Sequence, residues 1–157
     1  MSVELSDIQW LAEPIDGTTL ETVAETISQM TEAATIEWFP RYDYETTGGV
    51  VSSAAVTVET RIKMPQWTGY STATDVEQNE WDRFFAALRR HEQGHVELVV
   101  EHLSDVDELL TGKSIESAKQ LWISALAALQ TASRAYDQET DHGRKQGAII
   151  DVTVTGP

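Results

Sequence analysis

Apolar side chains recur every three to four residues from Phe84 onward: Phe84, Phe85, Leu88, Val96, Val99, Leu103, Val106 and Leu110. That period predicts a long helix over about Val76–Leu110, opened by Thr74 or Asp75 and ended at Thr111–Gly112. A second helix is predicted over about Ile115–Asp137, started by Ser114. Nearer the N-terminus, Leu20, Val23, Ala24 and Ile27 form the stripe of a shorter helix that Thr18 or Thr19 caps and that runs to about Met30.

Other segments alternate instead. Val56, Val58, Thr60, Ile62 and Met64 oppose Thr57, Glu59, Arg61 and Lys63, which predicts a strand over Val50–Met64 stopped by Pro65-Gln66-Trp67. Thr35–Glu45 reads as another strand, with Pro40 marking an edge or a bulge, and Thr46-Thr47-Gly48-Gly49 as the hairpin turn between the two. Ile8–Leu11 is a short strand ending at the turn cluster Pro14–Gly17. Ile149, Val152 and Val154 suggest a last short strand after an irregular polar loop over Glu139–Gly147. The order predicts one α+β domain, a small, mostly antiparallel sheet packed against two long antiparallel helices.

The first long helix carries the chemistry. His91-Glu92-Gln93-Gly94-His95 reads H-E-x-x-H, and His91, Glu92 and His95 continue the apolar stripe while Arg89, Arg90 and Gln93 face outward. Two histidines four residues apart can hold one zinc ion, and the adjacent glutamate can take a proton from the water that the ion activates. Three ionisable groups on an inward face are costly unless a partner offsets them, and a metal is such a partner. Gly94 leaves room for another backbone or a substrate close by.

A zinc site needs a third protein ligand. His102 lies about 10 Å beyond His95 along the helix axis, too far to share its ion, and reads as a partly buried helix histidine. Leu98 and Glu101 stand where the longer zinc-protease pattern requires glycine and histidine. His142 is better placed, because an antiparallel second helix brings the loop after it back toward His91. Asp137 is the alternative, as ligand or as a group orienting one. Glu108, Glu116 and Glu139 are further alternatives, the first two flanking the distant helix turn. Tyr136 can set its hydroxyl near a developing oxyanion.

Composition narrows the partners. A net charge of −15 on 157 residues repels nucleic acid and anionic membranes. No apolar run approaches the ~20 residues that span a bilayer. The absence of cysteine excludes disulfides, thiolate zinc sites and cysteine nucleophiles.

Two motifs carry a resemblance: His91–His95, preceded by Trp81 and Phe84, and Tyr136-Asp137-Gln138-Glu139-Thr140-Asp141-His142-Gly143. With Trp38, Tyr42, Tyr44, Val56–Ile62 and Met64–Trp67, they cover nearly the whole chain. The sequence resembles the bacterial family of predicted secreted zinc-dependent proteases, an H-E-x-x-H domain of unknown function. The resemblance implies a zincin-like fold, a zinc cofactor and a peptide or protein substrate, and strengthens Tyr136, Asp137 and His142 as site residues. It also implies export, whereas Met1–Leu5 shows no basic region followed by an apolar run. The reading that follows is a zinc metallopeptidase with Glu92 and Tyr136 catalytic and His91, His95 and His142 on the metal. Its alternative is a zinc-binding module without peptidase activity. A strand edge near the metal, with Val50–Met64 as the natural candidate, is where a substrate would add.

Overall fold

The computed structural model describes residues 3–156. They form an α+β protein: strands β1 (Glu4–Leu5), β2 (Gln9–Ile15), β3 (Thr35–Thr47) and β4 (Val50–Trp67), and helices α1 (Leu20–Ser28), α2 (Asp75–Leu103), α3 (Val106–Leu110) and α4 (Ile115–Thr140). The chain divides into two compact units. β4, α2 and α4 each run without a break from one into the other.

The first unit comprises residues 3–9, 37–61 and 94–136 among those described. Val51, Val56 and Val58 of β4 pack with Val99 and Leu103 of α2, Val106 and Leu110 of α3, and Ala118, Trp122 and Leu129 of α4. Burying each large side chain contributes roughly 1.5–3 kcal/mol. Tyr42 of β3 sets its ring 4.9 Å from that of Trp122. The turn before α4 is tied to the start of β4, since Val51 N donates to Lys113 O and Gly112 N to Val51 O, both at 2.8 Å.

The second unit comprises residues 10–36, 62–93 and 137–156. Its buried apolar residues include Leu20, Val23 and Ile27 of α1, Ile62, Met64 and Trp67 of β4, and Trp81, Phe84 and Leu88 of α2. Two capping boxes start its helices. Thr19 and Thr22 exchange bonds at the head of α1, and Thr74 and Glu77 do so at the head of α2. Glu77 also accepts a 2.6 Å bond from Leu20 N, so one carboxylate serves both helix N-termini. These bonds hold its carboxyl below the usual range, the Leu20 amide first and the Thr74 amide next.

Five expectations change. β4 pairs with β1, β2 and β3, and β1 lies parallel to it, Glu4 opposite Thr57 and Leu5 opposite Val58. So the expected mostly antiparallel sheet carries a parallel pair at β1–β4, and β4 is its interior strand rather than an edge open to a substrate. β4 also continues past Met64 through Pro65 to Trp67. Pro65 lacks an amide donor, but the next groups are anchored: Trp67 Nε1 donates to Gly17 O at 2.6 Å and Thr68 N to Ile15 O at 3.1 Å.

The first long helix breaks at Ser104-Asp105, dividing α2 from α3. Serine and aspartate compete for nearby backbone bonds and are poor helix formers. The apolar spacing hides the break, because Leu103, Val106 and Leu110 all stay buried in one core. Finally, Val152–Thr155 is a 3-10 turn, not a strand. Arg83 donates to Gly147 O (2.9 Å) and Ile149 O (2.6 Å), while Glu80 accepts from Asp151 N (2.6 Å). Side chains thus take the backbone groups that a partner strand would use, and Asp151 caps the turn through Thr153 N.

Candidate metal centre

In the second unit, the face of α2 that buries Phe84 and Leu88 reaches His91 and Glu92, 2% and 3% exposed. Each contact of the His91 imidazole has a source in α4 or the turn after it. Nδ1 lies 2.8 Å from Gln146 Oε1 and 3.5 Å from Thr140 Oγ1, and Nε2 lies 3.0 Å from Asp137 Oδ1. An imidazole nitrogen and a carboxylate oxygen at that distance need a shared proton or a cation between them. Donation of Nδ1–H to Gln146 selects the tautomer whose Nε2 can ligate a metal.

The turn after α4 is built for close approach. Asp141, His142 and Gly143 all have positive φ, at 50°, 53° and 89°. For the two non-glycine residues this conformation costs on the order of 1–2 kcal/mol each. His142 N donates to Asp137 O (2.8 Å) and Gly143 N to Thr140 Oγ1 (3.2 Å), which fixes the turn. Gly143 then lies against His91. A β-carbon there would come within 2.8 Å of His91 Cγ, so only glycine fits.

Asp137 is the hub of this unit. Besides His91, its Oδ1 lies 3.9 Å from His142 Nδ1, which is also 3.9 Å from Glu32 Oε1. Glu32, Asp137 and His142 bring ligand atoms within 4.8 Å of one another. Glu92 completes the carboxylates. Its Oε2 is buried with no hydrogen-bond partner among the described residues. Burial pushes its pKa up to about 8, and the charges of Asp137 and then Glu32 push the same way.

His95 follows His91 by one turn of the unbroken α2, so both imidazoles share a face. Within the first unit, His95 is 2% exposed, and its Nδ1 lies 2.9 Å from Ser133 Oγ. The Tyr136 ring meets it edge-on at 4.8 Å. Gly94 accommodates the tyrosine rather than a substrate, since a β-carbon there would collide with the Tyr136 hydroxyl. Gly94→Ala is therefore expected to displace the phenol and cost about 1–3 kcal/mol. In a Tyr136→Ala background the same change is expected to stabilise by about 1 kcal/mol, through helix propensity alone. Denaturant unfolding of the four variants measures this cycle.

The residues singled out from the sequence are thus placed as follows. His91, Glu92 and His95 are buried on one helix face, with Arg89, Arg90 and Gln93 exposed. Asp137 contacts His91 directly, while His142 reaches Asp137 and Glu32. Glu108, Glu116 and Glu139 are exposed and belong to no converging ligand group among the described residues. His102 donates Nδ1–H to Leu98 O at 3.0 Å, a local helix contact. Sequence reasoning missed Glu32, Ser133, Thr140 and Gln146. Ser133 and Thr140 fall on the inward face of the predicted second helix and its extension, which is a usable signal; Glu32 and Gln146 lie in turns without periodicity.

Asp137 meets His91, while Glu32 and Asp137 converge on His142, and Glu92 nearby has a buried oxygen with no hydrogen-bond partner among the described residues. That donor set of nitrogen and carboxylate oxygen suits a divalent transition ion, and a cation offsets the charge that burial penalises. His142 also lines a cavity of about 600 Å³ in the second unit, walled by Ile27, Phe84, Ala148 and Ile150.

The fold and site define an α+β protein with a histidine–carboxylate centre on a buried helix face. Residues 12–143 match the family described as "Bacterial protein of unknown function (DUF922)", and the chain belongs to it. No curated protein and no solved structure matches the chain. Among the described residues, no helix is long and apolar enough to cross a membrane.

Proposed function

We propose that the protein is a zinc-dependent metallopeptidase of zincin-like design. The observation that carries this reading is the buried H-E-x-x-H face: His91 and His95 each with Nδ1 engaged by an oriented partner, and between them Glu92 with an unpartnered oxygen. Each Nδ1 contact turns the opposite nitrogen, Nε2, toward a shared ion. Asp137 supplies the third ligand, with His142 as the alternative. Bound zinc would acidify a water and polarise the scissile carbonyl. Glu92 would act as the base that accepts a proton from the attacking water and hands it to the leaving amine. The edge-on Tyr136 ring holds His95 and shields it from solvent.

A second reading, a metal-holding module without hydrolysis, is favoured by one observation. β4, the strand expected to receive a peptide, is flanked by partners. Metal removal separates the two. The peptidase reading expects cleavage of a broad peptide library by zinc-loaded protein, loss on chelation and recovery on zinc addition. Zinc-loaded protein that cleaves no member supports the module.

A further inference from the structure

Asp137 is shared between two sets of side chains. On one side its Oδ1 meets His91 Nε2 at 3.0 Å, and on the other His142 Nδ1 at 3.9 Å. Glu32 Oε1 is likewise 3.9 Å from His142 Nδ1. A tetrahedral ion with bonds of about 2.0–2.1 Å holds its ligand atoms roughly 3.4 Å apart. The two edges that meet at His142 Nδ1 therefore exceed that spacing by only about half an ångström, and all three ligand atoms lie within 4.8 Å of one another. His142 Nδ1 is buried and has no hydrogen-bond partner among the described residues, although its ring is partly exposed. Its backbone is held at positive φ by the bonds from His142 N and Gly143 N.

A neighbouring group is consistent with this. Glu92 is 3% exposed, and its Oε2 is buried with no hydrogen-bond partner among the described residues. An ion at His91 would draw on Asp137 and would not engage Glu32, whose Oε1 lies 3.9 Å from His142 Nδ1. A carboxylate can bridge two ions about 3.5–4 Å apart, the spacing found in two-metal hydrolytic sites.

We propose that Glu32, Asp137 and His142 form a second divalent-cation site, joined through Asp137 to the ion at His91. The donors, one imidazole and two carboxylates, select zinc or manganese over calcium or magnesium. The proposal rests on the metal reading of His91 for its shared ligand. Glu32 belongs to it alone, and is a half-exposed loop residue whose replacement leaves the core intact.

The test is the number of zinc ions bound per full-length chain, counted by native mass spectrometry with zinc as the only added metal. Two ions in the wild type and one in Glu32→Gln is the expected result. A single wild-type ion that Glu32→Gln loses but His95→Ala keeps also supports this site, and removes the one at His91–His95. Equal counts in wild type and Glu32→Gln, including none in both, overturn the proposal. Two ions bound without peptide cleavage would sink the peptidase reading and leave this site standing.

Discussion

Glu92→Gln is expected to do two opposite things: stabilise the chelator-treated protein at pH 8 by on the order of 4 kcal/mol relative to pH 5 behaviour, and cut hydrolysis by the zinc-loaded protein by about 10²–10⁴-fold. Both follow from where the carboxyl sits. In the fold its pKa is pushed from 4.5 to about 8, first by burial and then by Asp137 and Glu32. The folded chain therefore keeps a proton that the unfolded chain releases near pH 4.5. This contribution to stability is fully present below about pH 4.5 and is lost as pH rises through 8. Glutamine copies the neutral form and removes that loss. With a dication beside it the carboxyl would be ionised instead, and glutamine cannot replace the base function proposed for it. Urea unfolding at pH 5 and pH 8, with and without zinc, reads the first effect. Equal pH slopes in wild type and variant would show that Glu92 does not titrate in a buried, anionic setting.

Phe84→Ala is expected to cost about 3–5 kcal/mol. Phe84 is fully buried and stands two helical turns before His91 on the same face of α2. Its ring lies 5.3 Å from that of Trp81, which continues to Trp67 at 5.7 Å, and Trp67 is anchored to Gly17 O. Truncation opens a cavity beneath the segment that carries His91 and joins it to the cavity that His142 lines. Zinc affinity is expected to fall with stability, because the histidine face loses its support. Phe84→Leu, which keeps most of the volume, is expected to lose less than half as much. Unfolding midpoints with and without zinc measure both. A loss below 1 kcal/mol for the alanine variant would mean that this aromatic row does not position the site.

The sequence made the helical part of the site readable because the 3.6-residue stripe needs no tertiary knowledge. Positions 84, 88, 91, 92 and 95 fall on one face whatever packs against them, and all are buried. Asp137 was legible as an alternative, since its place near the end of an opposing helix follows from counting back from the turn at Gly112. The register proved one turn different from that count: His95 meets Ser133, and His91 meets Asp137. Glu32 was not legible, because a turn after a short helix has no period to place it. Neither was the role of Gly94, since glycine announces space but not its occupant, here Tyr136. The C-terminal segment shows how a local pattern fails. Ile149, Val152 and Val154 suggest a strand, but Arg83 and Glu80 bind the backbone there, and all three are exposed. Likewise the parallel β1 arises from a chain crossing that alternation cannot encode.

The central claim is that the buried face of α2 is built around a metal ion. X-ray diffraction from zinc-treated crystals at the zinc absorption edge tests it most directly. The account predicts an anomalous peak within about 2.0–2.1 Å of His91 Nε2 and of the His95 ring nitrogen opposite Ser133. Zinc-treated crystals with no peak at these two histidines, whether or not zinc appears elsewhere, would contradict it.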